Sequence, residues 1–210
     1  MLKSIFNVPF ILASSSPRRI EMLRQIGIPF ISESPQIEET RKKGESPRNM
    51  VERLSKEKAE SVFSNAVFQY GGCIILAADT IVIAPDQKTV LGKPKNKKEA
   101  VKMLSLLVGK THLVLTSYSI LIGAREMTKE IISKTVETKV KMRKISSKQI
   151  SEYVQTGESM DKAGAYAAQG LGMMLIESIR GSYTNVVGLP LAELVSDLEK
   201  RFGISLYGAR

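Results

Sequence analysis

The sequence predicts an α/β fold, and three observations carry that prediction. The chain opens on an apolar run that turns sharply into a helix-spaced run. Further apolar stretches of strand length then alternate with stretches of helical period. Past the middle, an apolar run is followed by one in which Val136, Val140 and Met142 alternate with Glu137, Lys139 and Lys141, the pattern of a sheet with one wet face. At 210 residues the chain reads as one domain over 1–210, either single or two-lobed, with no internal repeat and no linker long enough to separate independent domains.

The opening is Ile11-Leu12-Ala13-Ser14-Ser15-Ser16-Pro17-Arg18-Arg19, a buried strand running into hydroxyls, a proline and two guanidinium groups. Ile20, Leu23, Met22 and Ile26 follow at helical spacing, Ser16 sits at the N-cap position, and Pro17 occupies the first turn, where its missing N–H costs nothing. Gly27 and Pro29 stop the helix. Both arginines thus fall in the first turn, where unpaired N–H groups already favour an anion. Guanidinium forks beside spare serine hydroxyls make a phosphate cradle; the alternative is a solvated helix start.

Phe30 to Ser34 predicts a short strand, followed by an acidic turn, Gln36 to Thr40, and a polar loop. Ser46-Pro47 opens a second helix reaching about Ala66, on which Leu54, Lys58 and Val62 share one stripe. A lysine there either snorkels to the edge or reaches into a polar cleft. Cys73 to Ile83 predicts a central strand interrupted by Asp79. A buried carboxylate costs several kcal/mol or more unless it is paired or metal-bound, so Asp79 is either functional or a strand-end aspartate bonded to nearby backbone. Leu91-Gly92-Lys93-Pro94 is a turn that projects a lysine; Asn96 with Glu99 resembles a capping box for a helix ended by Gly109. A strand over Thr111–Ile122 and a hairpin partner over Glu130–Arg143 come next. Ser146/Ser147 begin a short helix ending near Gly157. The glycine- and alanine-rich stretch Asp161 to Gly170 lets backbone approach a ligand closely. Ser182 to Pro190 is a polar turn, and a last helix starts at Pro190.

Composition excludes several chemistries. One cysteine, Cys73, rules out an internal disulfide and any multi-cysteine metal site, which suits a reducing cytoplasm. One histidine, His112, rules out a multi-histidine centre, so a metal here needs oxygen ligands, favouring magnesium or manganese. There is no membrane-length apolar run, no signal-peptide cleavage pattern after Lys3, and no GxxxxGK[ST] loop. The net charge of +10 predicts polyanionic company, either nucleic acid or a multiply phosphorylated small molecule. Aromatic content of 6% without tryptophan disfavours single-strand nucleic-acid binding, which relies on stacking. A core carboxylate, an acidic turn, cations at element ends and a small-residue segment together suggest metal-assisted phosphate chemistry.

With these segments assembled, the chain resembles the Maf family of nucleoside triphosphate pyrophosphatases along nearly its whole length. The resemblance rests on ILASSSPRR, the EET turn, LSKEKA, AADTIV, LGKP, GKTHLVLT, DKAGAYAAQG and SYTNVVGLP, eight segments in family order. It implies an elongated, twisted mixed β-sheet flanked by helices, two lobes with a central cleft, and a homodimer. It also implies metal-dependent hydrolysis between the α and β phosphates of a nucleoside triphosphate. By the same resemblance Ser14, Arg18, Arg19, Lys58 and Lys93 would bind phosphates, with Lys58 and Lys93 joining Asp79 in catalysis. Glu39 and Asp79 would hold a divalent cation, Asp79 also activating water. Thr80 and Gln169 match positions that mark the branch acting on dTTP and UTP. Two alternatives stand beside this: pyrophosphatase action on a modified or methylated nucleotide, and a nucleic-acid-binding regulator of septum formation.

Overall fold

The computed structural model describes residues 8–125 and 127–207; the N-terminal reading around Lys3 lies outside them. Its strands form a seven-stranded sheet in the order β2-β1-β3-β5-β6-β7, with β4 paired to β3. The sheet is mixed: β1 (Phe10–Ala13) runs parallel to β2 (Ile31–Glu33) and to β3 (Gly72–Ile83), β3 antiparallel to β4 (Val90–Leu91). β5 spans Thr111–Ala124, and β6 (Met127–Met142) runs antiparallel to β7 (Ile176–Arg180). The α/β prediction is therefore correct. Among the described residues no helix is long and apolar enough to cross a membrane.

The chain divides into two compact units, with β3 passing from one to the other between Asp79 and Thr80. The first contains β1, α1 (Pro17–Gln25), β2, α2 (Pro47–Tyr70), the first part of β3, and α6 (Leu191–Phe202). Its core sets Cys73, Ile75 and Ala77 of β3 against Ala59, Val62 and Ala66 of α2, with Ile11 and Ala13 of β1 beside them. The predicted stripe of α2 is real: Leu54, Lys58 and Val62 are all buried. This helix runs four residues past Ala66, to Gly71, whose positive φ of 77° ends it. Ser46 caps it through Asn49 N–H at 3.2 Å. Ser16 holds the N-cap position of α1 but makes no side-chain cap; its N–H donates to Ser14 Oγ at 3.1 Å.

The second unit holds the rest of β3, β4, α3 (Lys97–Leu107), most of the β6–β7 pairing, α4 (Ser147–Gln155) and α5 (Tyr183–Val187). Its core joins Val82, Leu91, Leu104, Leu107, Val140, Tyr153 and Tyr166. Ser146 and Gln149 close a full capping box on α4, and Asn96 caps α3 through Glu99 N–H at 2.9 Å. The Glu99 carboxylate goes one residue beyond the box, to Lys95 N–H at 2.7 Å. The stretch read as irregular from Asp161 to Gly170 folds into short 3-10 turns at Ala163–Ala165 and Gly170–Leu175. Two glycines in these turns are sterically required. Gly164 sits at φ 69° with Val82 only 3.0 Å from where a Cβ would stand, and a Cβ on Gly172 would lie 2.2 Å from Ala167 O.

His112 is structural, as its single occurrence within a strand suggests. It is buried on β5 with Nε2 2.8 Å from Tyr166 Oη, while Nδ1 is buried without a partner among the described residues. Burial pushes its pKa down to about 4. Because the folded value lies below the unfolded one, the unfolded chain binds more protons as pH falls from about 6.5 to about 4. The stabilisation is present above pH ~6.5 and is lost through that window. His112→Gln is expected to remove up to about 1.4 kcal/mol per pH unit from the pH slope of stability there, read by denaturant melts from pH 7 to 4. An unchanged slope would show that the ring does not carry the acid sensitivity.

Candidate active site

Strand geometry decides where Asp79 points. Side chains alternate along β3, so Asp79 falls on the same face as Cys73, Ile75 and Ala77, which α2 covers. The β1–β3 register ends at Ala13↔Ala77, two residues before Asp79, so Asp79 and Ser14 both lie just past the carboxyl end of a parallel pair. In open α/β sheets that is where ligands bind. One turn before Val62, the buried stripe of α2 presents Lys58.

Lys58 reaches into a polar site rather than snorkelling outward. Its ammonium lies 2.6 Å from Asp79 Oδ1 and 2.8 Å from Glu39 Oε1, with Lys58 and Asp79 each about 7% exposed and Glu39 54%. Asp79 is thus an ion-paired carboxylate, the answer to its otherwise costly burial. Glu39 and Asp79 converge on a single cation, so a buried ammonium already stands between them.

Arg19 joins the cluster from the first turn of α1. Its Nε donates to Gly188 O at 2.8 Å, and Nη1 donates to Ser14 Oγ at 3.5 Å. Burial holds the guanidinium below its ordinary pKa; the charges of Asp79 and Glu39 oppose that, and Arg18 adds to it. Ser14 is buried and accepts from Ser16 N–H and from Arg19. With both lone pairs engaged, its own O–H is left as the donor. Arg18 is half-buried in the same turn. The first unit therefore gathers Ser14, Arg19, Glu39, Lys58 and Asp79 in one place.

The remaining predicted residues belong to the second unit. Lys93 is exposed in the turn after β4, a turn tied to the DKAGAY segment by Gly164 N–H to Gly92 O at 3.1 Å. Thr80 Oγ1 lies 3.0 Å from Thr116 Oγ1. Gln169 is exposed at the N-cap of the Gly170–Leu175 turn. It stands outside the hydrogen-bond chain that runs from Thr80 through Thr116 to Asn185.

Three residues outside the predicted set hold the neighbouring segments in place. Arg53 donates to both Glu45 oxygens (2.7 and 2.8 Å), to Glu57 at 2.8 Å and to Thr40 O at 2.9 Å, fastening the acidic turn next to Glu39. Its bond holds Glu45 at a pKa of about 2. Glu158 accepts Leu171 N–H at 3.0 Å and Gly172 N–H at 3.4 Å, fixing the turn just after Gln169. Asn185, fully buried, donates to Val114 O and Thr138 Oγ1. The i, i+4 spacing of Arg53 and Glu57 is a sequence signal that was available; Glu158 and Asn185 give none at that level.

Fold and cluster define a class: α/β proteins that collect cations and carboxylates at the carboxyl end of paired parallel strands. Within that class the chain belongs to the Maf family, whose model, described as Maf-like protein, matches residues 9–201. It is 46% identical over 197 residues to a dTTP/UTP pyrophosphatase of Symbiobacterium thermophilum, covering 94% of this chain and 95% of that protein. A protein of the same description from Dictyoglomus turgidum is 42% identical, covering 93% and 97%. Another, from Pseudoalteromonas atlantica, is 45% identical, covering 87% and 92%.

Proposed function

We propose that this protein hydrolyses dTTP and UTP to the nucleoside monophosphate and pyrophosphate. The observation that supports this best is the gathering of Lys58, Asp79, Glu39, Arg19 and Ser14 at the opening of α1. The descriptions of the related proteins supply the substrate class. On this reading Ser14 donates its hydroxyl proton to a phosphate oxygen, while Arg18 and Arg19 bind the chain of phosphates at the helix start. Lys58 and Lys93 offset charge building on the leaving pyrophosphate. Asp79 orients the attacking water and takes its proton.

Glu39 and Asp79 are the residues that would hold a divalent cation. They fit one in kind, since two carboxylates already converge on the Lys58 ammonium and offer only hard oxygen ligands. Among the described residues no group of three or more His, Cys, Asp or Glu side chains is placed to do so, so phosphate and water oxygens would complete the shell. When bound, magnesium or manganese would neutralise phosphate charge and lower the pKa of water. We also place the protein in the cytoplasm as a homodimer, the first because its one thiol is free and buried, the second on the family resemblance; sedimentation tests the dimer.

Base choice tests the substrate. Uracil and thymine offer two carbonyl acceptors flanking one N–H donor, and the amide of Gln169 supplies both a donor and an acceptor to that edge. A base that leaves a buried polar group unpaired loses about 1–3 kcal/mol. Pyrophosphate release from a nucleotide panel, with and without magnesium, is expected to favour dTTP and UTP over ATP and GTP, with CTP weak. Gln169→Ala should flatten that ranking. A purine preference, or turnover confined to a methylated nucleotide, would replace the assignment.

A further inference from the structure

The segment that carries Glu39 has no buried anchor. None of the residues from 34 to 46 is buried, and they form neither helix nor strand. A stretch so exposed opens at low cost unless polar bonds close it. Here one side chain closes it. Arg53, on α2 and five residues before Lys58, forks both Glu45 oxygens from Nε and Nη2 at 2.7 and 2.8 Å. Nη2 also donates to Thr40 O at 2.9 Å, and Nη1 donates to Glu57 at 2.8 Å. Glu45 draws the loop in further: its Oε2 accepts Lys42 N–H at 3.0 Å and its carbonyl accepts Arg41 Nε at 2.9 Å. The Arg53 and Glu45 side chains are 17% and 10% exposed, so water competes little for these bonds. Four of the five guanidinium N–H groups are engaged within the protein, which leaves Arg53 no fork for a phosphate.

We propose that Arg53 is a positioning residue for the reaction: by holding Thr40 O it sets the adjoining backbone so that Glu39 meets Lys58. The proposal rests on the pyrophosphatase reading above, in which Glu39 and Lys58 act together. Arg53 and Lys58 stand on one helix, so the strap and the ammonium that Glu39 must reach are fixed to a single rigid element. Glu39 Oε1 lies 2.8 Å from Lys58 Nζ although the glutamate side chain is 54% exposed. By itself, an ion pair that open to water gains little over hydration, so the backbone must bring the carboxylate to its place. Lysine cannot replace Arg53 here, because bridging Glu45 and Thr40 at once takes a planar fork.

The loop carries its own reporter, because Arg41, Lys42 and Lys43 are exposed trypsin sites. Digestion of the native protein, with the cuts located by mass spectrometry, should find these sites slow in wild type. In Arg53→Ala they should be cut about tenfold faster, while cuts elsewhere in the chain keep their wild-type rates. Arg53→Lys keeps the charge without the fork and should show the same change in smaller degree. The second arm is kcat/KM for dTTP. Arg53→Ala should lose about ten- to a hundredfold in otherwise wild-type protein, but no more than about twofold when Glu39→Gln is already present. Loop sites cut in wild type as fast as in an unfolded peptide of the same residues overturn the strap. So do loop cuts that are unchanged in both Arg53 variants, or faster only in step with cuts elsewhere. An equal loss of kcat/KM with and without Glu39→Gln overturns the action through Glu39. A wild-type protein that turns over neither dTTP nor UTP refutes the functional reading instead, and the trypsin arm still decides the strap.

Discussion

Asp79→Asn is expected to lower turnover by at least about a hundredfold, and up to about ten-thousandfold, while the protein stays folded. Asparagine keeps the Oδ1 acceptor that Lys58 uses at 2.6 Å, and Lys58 keeps its second partner, Glu39, at 2.8 Å. The ammonium is therefore not stranded, and the melting curve should move little. What is lost is the negative charge that, in the mechanism proposed above, takes a proton from water. Pyrophosphate release measured beside a thermal melt decides the matter. Activity near wild type with a normal melt would retire Asp79 as the catalytic centre. Lys58→Ala reverses the balance, because it leaves the carboxylate of Asp79 buried without its closest cation. Removing one partner of a buried pair costs about 3–5 kcal/mol, so this variant should lose stability as well as rate.

The cations give the second large effect. Arg18, Arg19, Lys58 and Lys93 changed singly to alanine are each expected to lose orders of magnitude in kcat/KM. Lys93 is the cleanest of the four: it is exposed, so its removal should leave stability within about 1 kcal/mol, as for any surface charge. Arg19→Lys should also be harmful. A lysine cannot donate at once to Gly188 O, to Ser14 Oγ and to a phosphate from a planar fork. Normal kinetics in all four variants would make the basic cluster a solvated face and remove the phosphate cradle.

The central part of this site is legible in the sequence because it violates a pattern. Asp79 interrupts an apolar strand and Lys58 breaks an apolar stripe, and the structure explains each by the other. The strand–turn–helix at Ser14 to Arg19 is equally visible, since proline and serine mark its boundary and the apolar period changes from strand to helix. Other features carry no such mark. β4 has two residues, too few for alternation to register, and its pairing with Val82 and Ile83 is decided by the turn before it. The polar run containing α5 reads as a turn because Ser182, Thr184 and Asn185 are turn-formers. They are polar for another reason: Asn185 is buried and bonded to Val114 and Thr138, partners far along the chain. A polar residue held by distant strands looks, in one dimension, like a polar residue facing water. β7 is hidden similarly, following an apolar run that a 3-10 turn occupies first.

The lone thiol on β3 gives that strand a clock. Cys73 is 1% exposed, and burial, with Glu33 adding to it, pushes its pKa up to about 11. Thiol reagents attack through the thiolate, so a folded molecule presents almost nothing to them at neutral pH. Reagent consumption then counts openings of the strand that carries Asp79, six residues along, at one label per chain. A catalytically dead variant that labels as slowly as wild type has lost its chemistry; one that labels quickly has lost its architecture.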